Sequence, residues 1–146
     1  MKTLAKTLLV SALLMSSAAF AETEATTPEV IARQELMKSF GGAAKALGGM
    51  ASGEVAYDAA AAEAAKQTLI TGAAEIEAKF TANVEDAGSE SKPEIWTGWD
   101  AFLAKAKALG DAAAALDVAS AESIGAGMAG VGGACKACHT DYRIQK

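Results

Sequence analysis

The residues best suited to chemistry crowd into five positions near the end of the chain. Cys135-Lys136-Ala137-Cys138-His139 holds both cysteines and the single histidine of the 146-residue sequence. On a helix, residues three apart lie about one turn apart on the same side. Two thiols so placed can each add to a vinyl group as a thioether, and the adjoining imidazole then meets a metal from one face. The C-x-x-C-H spacing is that of one covalently attached c-type haem. Competing chemistries use these residues less well. A structural zinc site wants four Cys or His ligands, and the chain supplies three. A thioredoxin-type pair expects a βαβ setting with the motif at a helix start. A disulfide leaves the histidine without a role.

A haem iron bound by His139 has a second axial position. Outside the first 21 residues the methionines are Met37, Met50 and Met128. Met128 would share the histidine's own helix, about 16 Å along its axis, and cannot reach the opposite haem face. In an antiparallel bundle the start of the first helix lies beside the end of the last. Met37 stands 9 residues past Pro28 and His139 stands 7 before Lys146, so their levels agree. Met50 falls roughly 20 Å further on. If a thioether binds the iron, it is Met37; the ordinary alternative is a methionine filling the core.

Arg33 lies one turn before Met37 on the same face. A cation pointing into a bundle needs an anion, and haem carries two propionates. The other reading is a side chain that snorkels toward Glu29 or Glu54. Tyr142 and Arg143 either cover the haem edge or serve as core packing and a partner for the helix C-terminus. Trp96 and Trp99 read as core.

These residues must be held by helices. Four stretches carry helical period. The first opens at Thr27 and Pro28, runs to about Met50, and turns inward Val30, Arg33, Met37, Phe40, Ala44 and Leu47. Asp58 caps a second, to about Phe80, whose stripe of Ala62, Leu69, Ala73, Ile76 and Phe80 is interrupted by Lys66. Residues 81–92 have no period and many turn formers, which makes a loop, long for a small bundle. Pro93 opens a third helix through Ile95, Trp99, Phe102, Ala106, Leu109, Ala113 and Leu116, with Gly110 its weak point. Ser120 begins the fourth, with Ile124, Met128, Val131, Cys135, Cys138 and Tyr142 on its buried face. Near-heptad seams and short first and third connections predict an all-α fold, an antiparallel up-down-up-down four-helix bundle.

Composition narrows the function. Aromatics are only 5% and the chain is alanine-rich, which favours close-packed helices over a β-sandwich. A formal charge of -5 and no Lys/Arg cluster argue against nucleic-acid binding. Residues 1–21 form a leader: Lys2 and Lys6 precede an apolar run from Leu8 to Phe20, and Ala19-Phe20-Ala21 is a cleavage site. The run falls short of a spanning helix, and no other stretch supplies one. Residues 22–146 would then be a single domain exported to the periplasm, with the charge falling from -5 to -7 as Lys2 and Lys6 are lost. An acidic surface steers toward basic patches on periplasmic redox proteins.

With these motifs in place the chain resembles a class II cytochrome c. The likeness rests on Arg33-Gln34-Glu35-Leu36-Met37-Lys38, Gly48-Gly49-Met50, Tyr57-Asp58-Ala59-Ala60, Pro93-Glu94-Ile95-Trp96 and the C-x-x-C-H segment with Tyr142-Arg143. Cytochrome c prime is a known up-down-up-down bundle, so this likeness and the helix count are not independent. The resemblance implies haem contacts at Arg33 and Gln34, axial ligation by His139, and Met37 at the distal position. The family has two branches. One is low-spin, with a Met ligand from the first helix, and carries electrons; the other is five-coordinate and binds nitric oxide or carbon monoxide. Leu36-Met37-Lys38 followed by Ser39, Gly41 and Gly42 resembles the low-spin branch. With no second histidine for peroxide cleavage and its acids mostly on solvent faces, the chain reads as a non-enzyme; homodimers through the first helix occur among the relatives it resembles.

Overall fold

The computed structural model describes residues 23–145; the leader expected at 1–21 lies outside them. Helix α1 spans Pro28–Ser52, with Pro28 in the first turn, where a missing N–H costs nothing. Its start differs from expectation in one respect. The Thr27 side chain makes no cap bond; the Asp86 carboxylate instead accepts the N–H groups of Thr26 and Thr27. Gly53, at φ 75°, ends α1 in the left-handed region and returns its N–H to the Met50 carbonyl. Helix α2, Ala59–Phe80, begins as expected at Asp58, whose side chain accepts from the Ala61 N–H at 2.7 Å.

The third expected helix is two pieces, α3 (Glu94–Thr97) and α4 (Trp99–Ala115). The break falls at Gly98, not at Gly110, which lies inside α4. Glycine at φ -125° and ψ 45° leaves the helical path, and its N–H closes α3 on the Glu94 carbonyl. The turn lets α3 bury Ile95 while Trp96 Nε1 donates to the Phe80 carbonyl at 2.8 Å. Helix α5, Ala121–Tyr142, opens on a reciprocal capping box between Ser120 and Ser123.

The four long helices form an all-α antiparallel bundle in which α1 packs on α2, α2 on α4, α4 on α5, and α5 back on α1. No described helix is long and apolar enough to cross a membrane. The core runs through Phe40, Leu47, Leu69, Ile76, Phe102, Leu109, Ile124 and Val131. Gly72 lets α1 approach closely, since a Cβ there would collide with the Phe40 ring. Lys66, the polar interruption in α2, donates to the Leu116 carbonyl at 2.8 Å and so closes the end of α4.

On α1, Leu36 and Ala43 are buried where Met37 and Ala44 were expected; the latter two are half-buried. A 3.6-residue helix drifts from a 3.5-residue seam, and Met37 faces a cavity instead of closed core. The reading of α5 is corrected as well. Cys135, Cys138 and Tyr142 are half-buried, and only Ile124 and Val131 on this helix are fully buried.

Candidate functional site

The bundle opens at the end where α1 begins and α5 finishes, leaving a cavity of about 730 Å³. Helix α1 contributes Val30, Arg33, Gln34 and Met37 to its wall, and α5 contributes Cys138, His139 and Tyr142. Phe80 and Phe102 line it too, and the edge of Tyr142 packs on Phe102 with ring centroids 5.2 Å apart. Met37 and His139, expected from helix levels to face one another, thus line one cavity from two different helices. Met50 is 4% exposed within the core, Met128 packs partly buried against it, and neither lines the cavity.

The two cysteines are not joined in a disulfide. Burial pushes the Cys138 thiol up to about 11, with Lys105 opposing, and raises Cys135 in the same direction. Cys138 lines the cavity, and Cys135 sits one turn earlier on α5, packed against the core. His139 is half-buried; burial lowers its pKa and the nearby Arg143 adds to that, against Glu90. The shift favours the neutral imidazole, the form with a lone pair to give a metal.

Arg33 has partners besides those expected. It is 3% exposed, and its guanidinium lies between the rings of Phe80 and Trp96, 5.1 and 5.2 Å from their centroids. Its Nε donates to the Lys79 carbonyl at 3.0 Å, a group that the end of α2 leaves unpaired, and its Nη2 to the Ala82 carbonyl just past the helix. Burial lowers its pKa, with Glu29 opposing. The remaining nitrogen, Nη1, is buried without an acceptor. An orphaned donor on a charged group, in the lining of a cavity that also presents a thiol and an imidazole, fits an anionic macrocycle such as haem with its propionates. Gln34 also lines the cavity, and its Nε2 donates to the Gly88 carbonyl at 3.0 Å.

Part of the wall was not anticipated. Gly88, Ser89, Glu90 and Ser91 from the α2–α3 loop, and Thr23, Glu24 and Ala25 before α1, all line the cavity. Their segments lack periodicity. The one sequence signal was Gly88, where a Cβ would strike the backbone of Ala25.

Comparison with known proteins agrees with this geometry. The family model described as Cytochrome C' matches residues 29–143. A cytochrome c-556 of Agrobacterium tumefaciens (strain apple 185) is 41% identical over 118 residues, covering 79% of this chain and 94% of the relative. Among solved structures, an oxidized R. palustris cytochrome c556 superposes with a TM-score of 0.74 at 27% identity, covering 83% of this chain and 99% of the other. The nitric oxide complex of a cytochrome c prime variant from Alcaligenes xylosoxidans gives a TM-score of 0.70 at 30% identity, covering 80% and 94%. A four-helix bundle with a cavity that presents one end of a C-x-x-C-H motif, matched along nearly its whole described length, leads to one conclusion: the chain belongs to the cytochrome c' family, whose members carry covalently attached haem c.

Proposed function

We propose that the protein is a periplasmic electron carrier in which Cys135 and Cys138 hold one haem and His139 and Met37 are its axial ligands. The observation that carries this reading is that Met37 on α1 and His139 on α5 line the same cavity. When bound, the haem supplies a one-electron couple whose potential a thioether ligand raises. The chain's own residues do the rest. His139 offers a neutral imidazole from α5. Met37 would offer sulfur from α1, whose start is held by Asp86 and whose end is closed at Gly53. Arg33 Nη1, buried without an acceptor, would meet a propionate, and Phe80 and Phe102 would keep water from the cavity. No second histidine exists in the sequence to assist turnover, and we read the protein as a carrier instead of an enzyme. Its acidic surface would steer it to basic patches on redox partners, with encounter rates that fall as salt rises.

A second reading is supported by the Alcaligenes xylosoxidans neighbour, solved as a nitric oxide complex. Here Met37 would stand off the iron and the cavity would admit a diatomic gas. Substituting Met37→Ala separates the two. In the carrier, the variant turns from six-coordinate low-spin to a form that binds carbon monoxide readily; an unchanged spin state rejects Met37 as ligand.

A further inference from the structure

The connection between α2 and α3 is stitched at both of its ends, and to the two helices that matter most. On one side, Asp86 Oδ2 accepts the N–H groups of Thr26 at 2.8 Å and Thr27 at 2.7 Å, just ahead of α1, while Oδ1 accepts from Gly88 at 2.8 Å. Gly88 lies so close to the backbone of Ala25 that no side chain fits, and its carbonyl takes the Gln34 amide. On the other side, Ile144 N–H donates to the Glu90 carbonyl at 2.8 Å and Lys92 N–H to the Tyr142 carbonyl at 2.9 Å. The Arg143 guanidinium meets the Glu90 carboxylate at 2.6 and 2.7 Å.

Helices α1 and α5 also pack on each other directly, yet no hydrogen bond or ion pair among the described residues joins them. Their polar connection at the cavity end runs through residues 86–92. One end of this segment holds the start of the helix bearing Met37; the other holds the end of the helix bearing His139. The middle of the segment, Gly88 to Ser91, is cavity wall.

We propose that residues 86–92 are a spacer that sets the gap between Met37 and His139, with Asp86 the positioning residue on the Met37 side. The inference rests on the reading of these two side chains as axial ligands. A helix moves as a rod, so releasing the two residues just ahead of it displaces a residue ten positions past Thr27, about 15 Å along the axis. Loss of the Asp86 carboxylate lets the start of α1 swing outward and takes the Met37 sulfur with it. The sixth position then opens more often, without any change to either ligand.

The test uses the haem-loaded full-length protein. The ferric spectrum of the unsubstituted protein is recorded first: a high-spin result overturns the Met37 reading itself, separately from the variants. Carbon monoxide association with the ferrous form is then compared for Asp86→Ala, Asp86→Asn and Asp58→Ala. Asp58 caps α2 at the far end of the bundle, so its loss costs stability of the same kind without touching the spacer. The expected result is a rise of roughly 10-fold for Asp86→Ala, on the scale of losing one hydrogen bond to a charged group. Asp86→Asn, which keeps an acceptor oxygen, restores most of the original rate, and Asp58→Ala leaves it unchanged. Amide exchange at Thr26 and Thr27 should rise in Asp86→Ala alone. Equal acceleration by Asp58→Ala, or faster exchange at Thr26 and Thr27 with an unaltered carbon monoxide rate, overturns the proposal. Should Asp86→Ala fail to fold, Glu90→Gln loosens the other end and is expected to accelerate association in the same direction.

Discussion

The Nε of Arg33 on α1 donates to the carbonyl of Lys79 at 3.0 Å, so a buried cation beside the cavity also closes the end of α2. The arrangement makes Arg33 a structural residue before any ligand arrives. Its replacement by methionine keeps most of the apolar contact and removes two charged hydrogen bonds to backbone carbonyls. Stability should fall by about 2–4 kcal/mol. Lysine should rescue little, because one ammonium cannot reproduce the fork that meets both carbonyls. Urea unfolding of the haem-loaded protein, followed by circular dichroism, measures both.

The Asp86 carboxylate is held well below the usual carboxylate range by the backbone N–H groups of Thr27, Gly88 and Thr26. The sign follows from the depressed folded value. The contribution to stability is complete above the ordinary unfolded value near ~4 and is lost progressively as pH falls from there toward the lower folded value. Unfolding midpoints measured from pH 6 down to pH 2 should therefore decline more steeply for the unsubstituted protein than for Asp86→Asn. Parallel curves would mean that the carboxylate is not held by the start of α1.

Glycines on these helices should respond in opposite directions to alanine. At Gly72 the new methyl group meets the Phe40 ring and Leu36, and overpacking of about 1–3 kcal/mol outweighs the gain in helix propensity. At Gly132, exposed on α5 with nothing within 4 Å of an added Cβ, the substitution should stabilise by roughly 0.5–1 kcal/mol. Thermal unfolding of the two variants side by side checks the contrast.

Sequence patterning carried the bundle a long way. Pro28, Asp58 and Ser120 mark three helix starts that the structure retains, because N-terminal signals are local and read directly from residue type. The grouping of Met37 with His139 was legible as well, since helix length fixes axial level. Three features were not. The break at Gly98 was hidden because an apolar seam continues across it, and the bond from Trp96 to the Phe80 carbonyl, which helps fix the change of direction, is made 16 residues away. Leu36 and Met37 differ in burial because the cavity, a three-dimensional feature, removes core from one side of α1. The partners of Arg33 and Asp86 lie 46 and 60 residues away, beyond anything that local pattern encodes.

The absorption spectrum of the ferric protein, followed by addition of carbon monoxide to the reduced form, tests the axial assignment most directly. Ligation by His139 and Met37 predicts a low-spin spectrum and slow, incomplete carbon monoxide binding. A high-spin ferric spectrum with rapid, stoichiometric binding would contradict it.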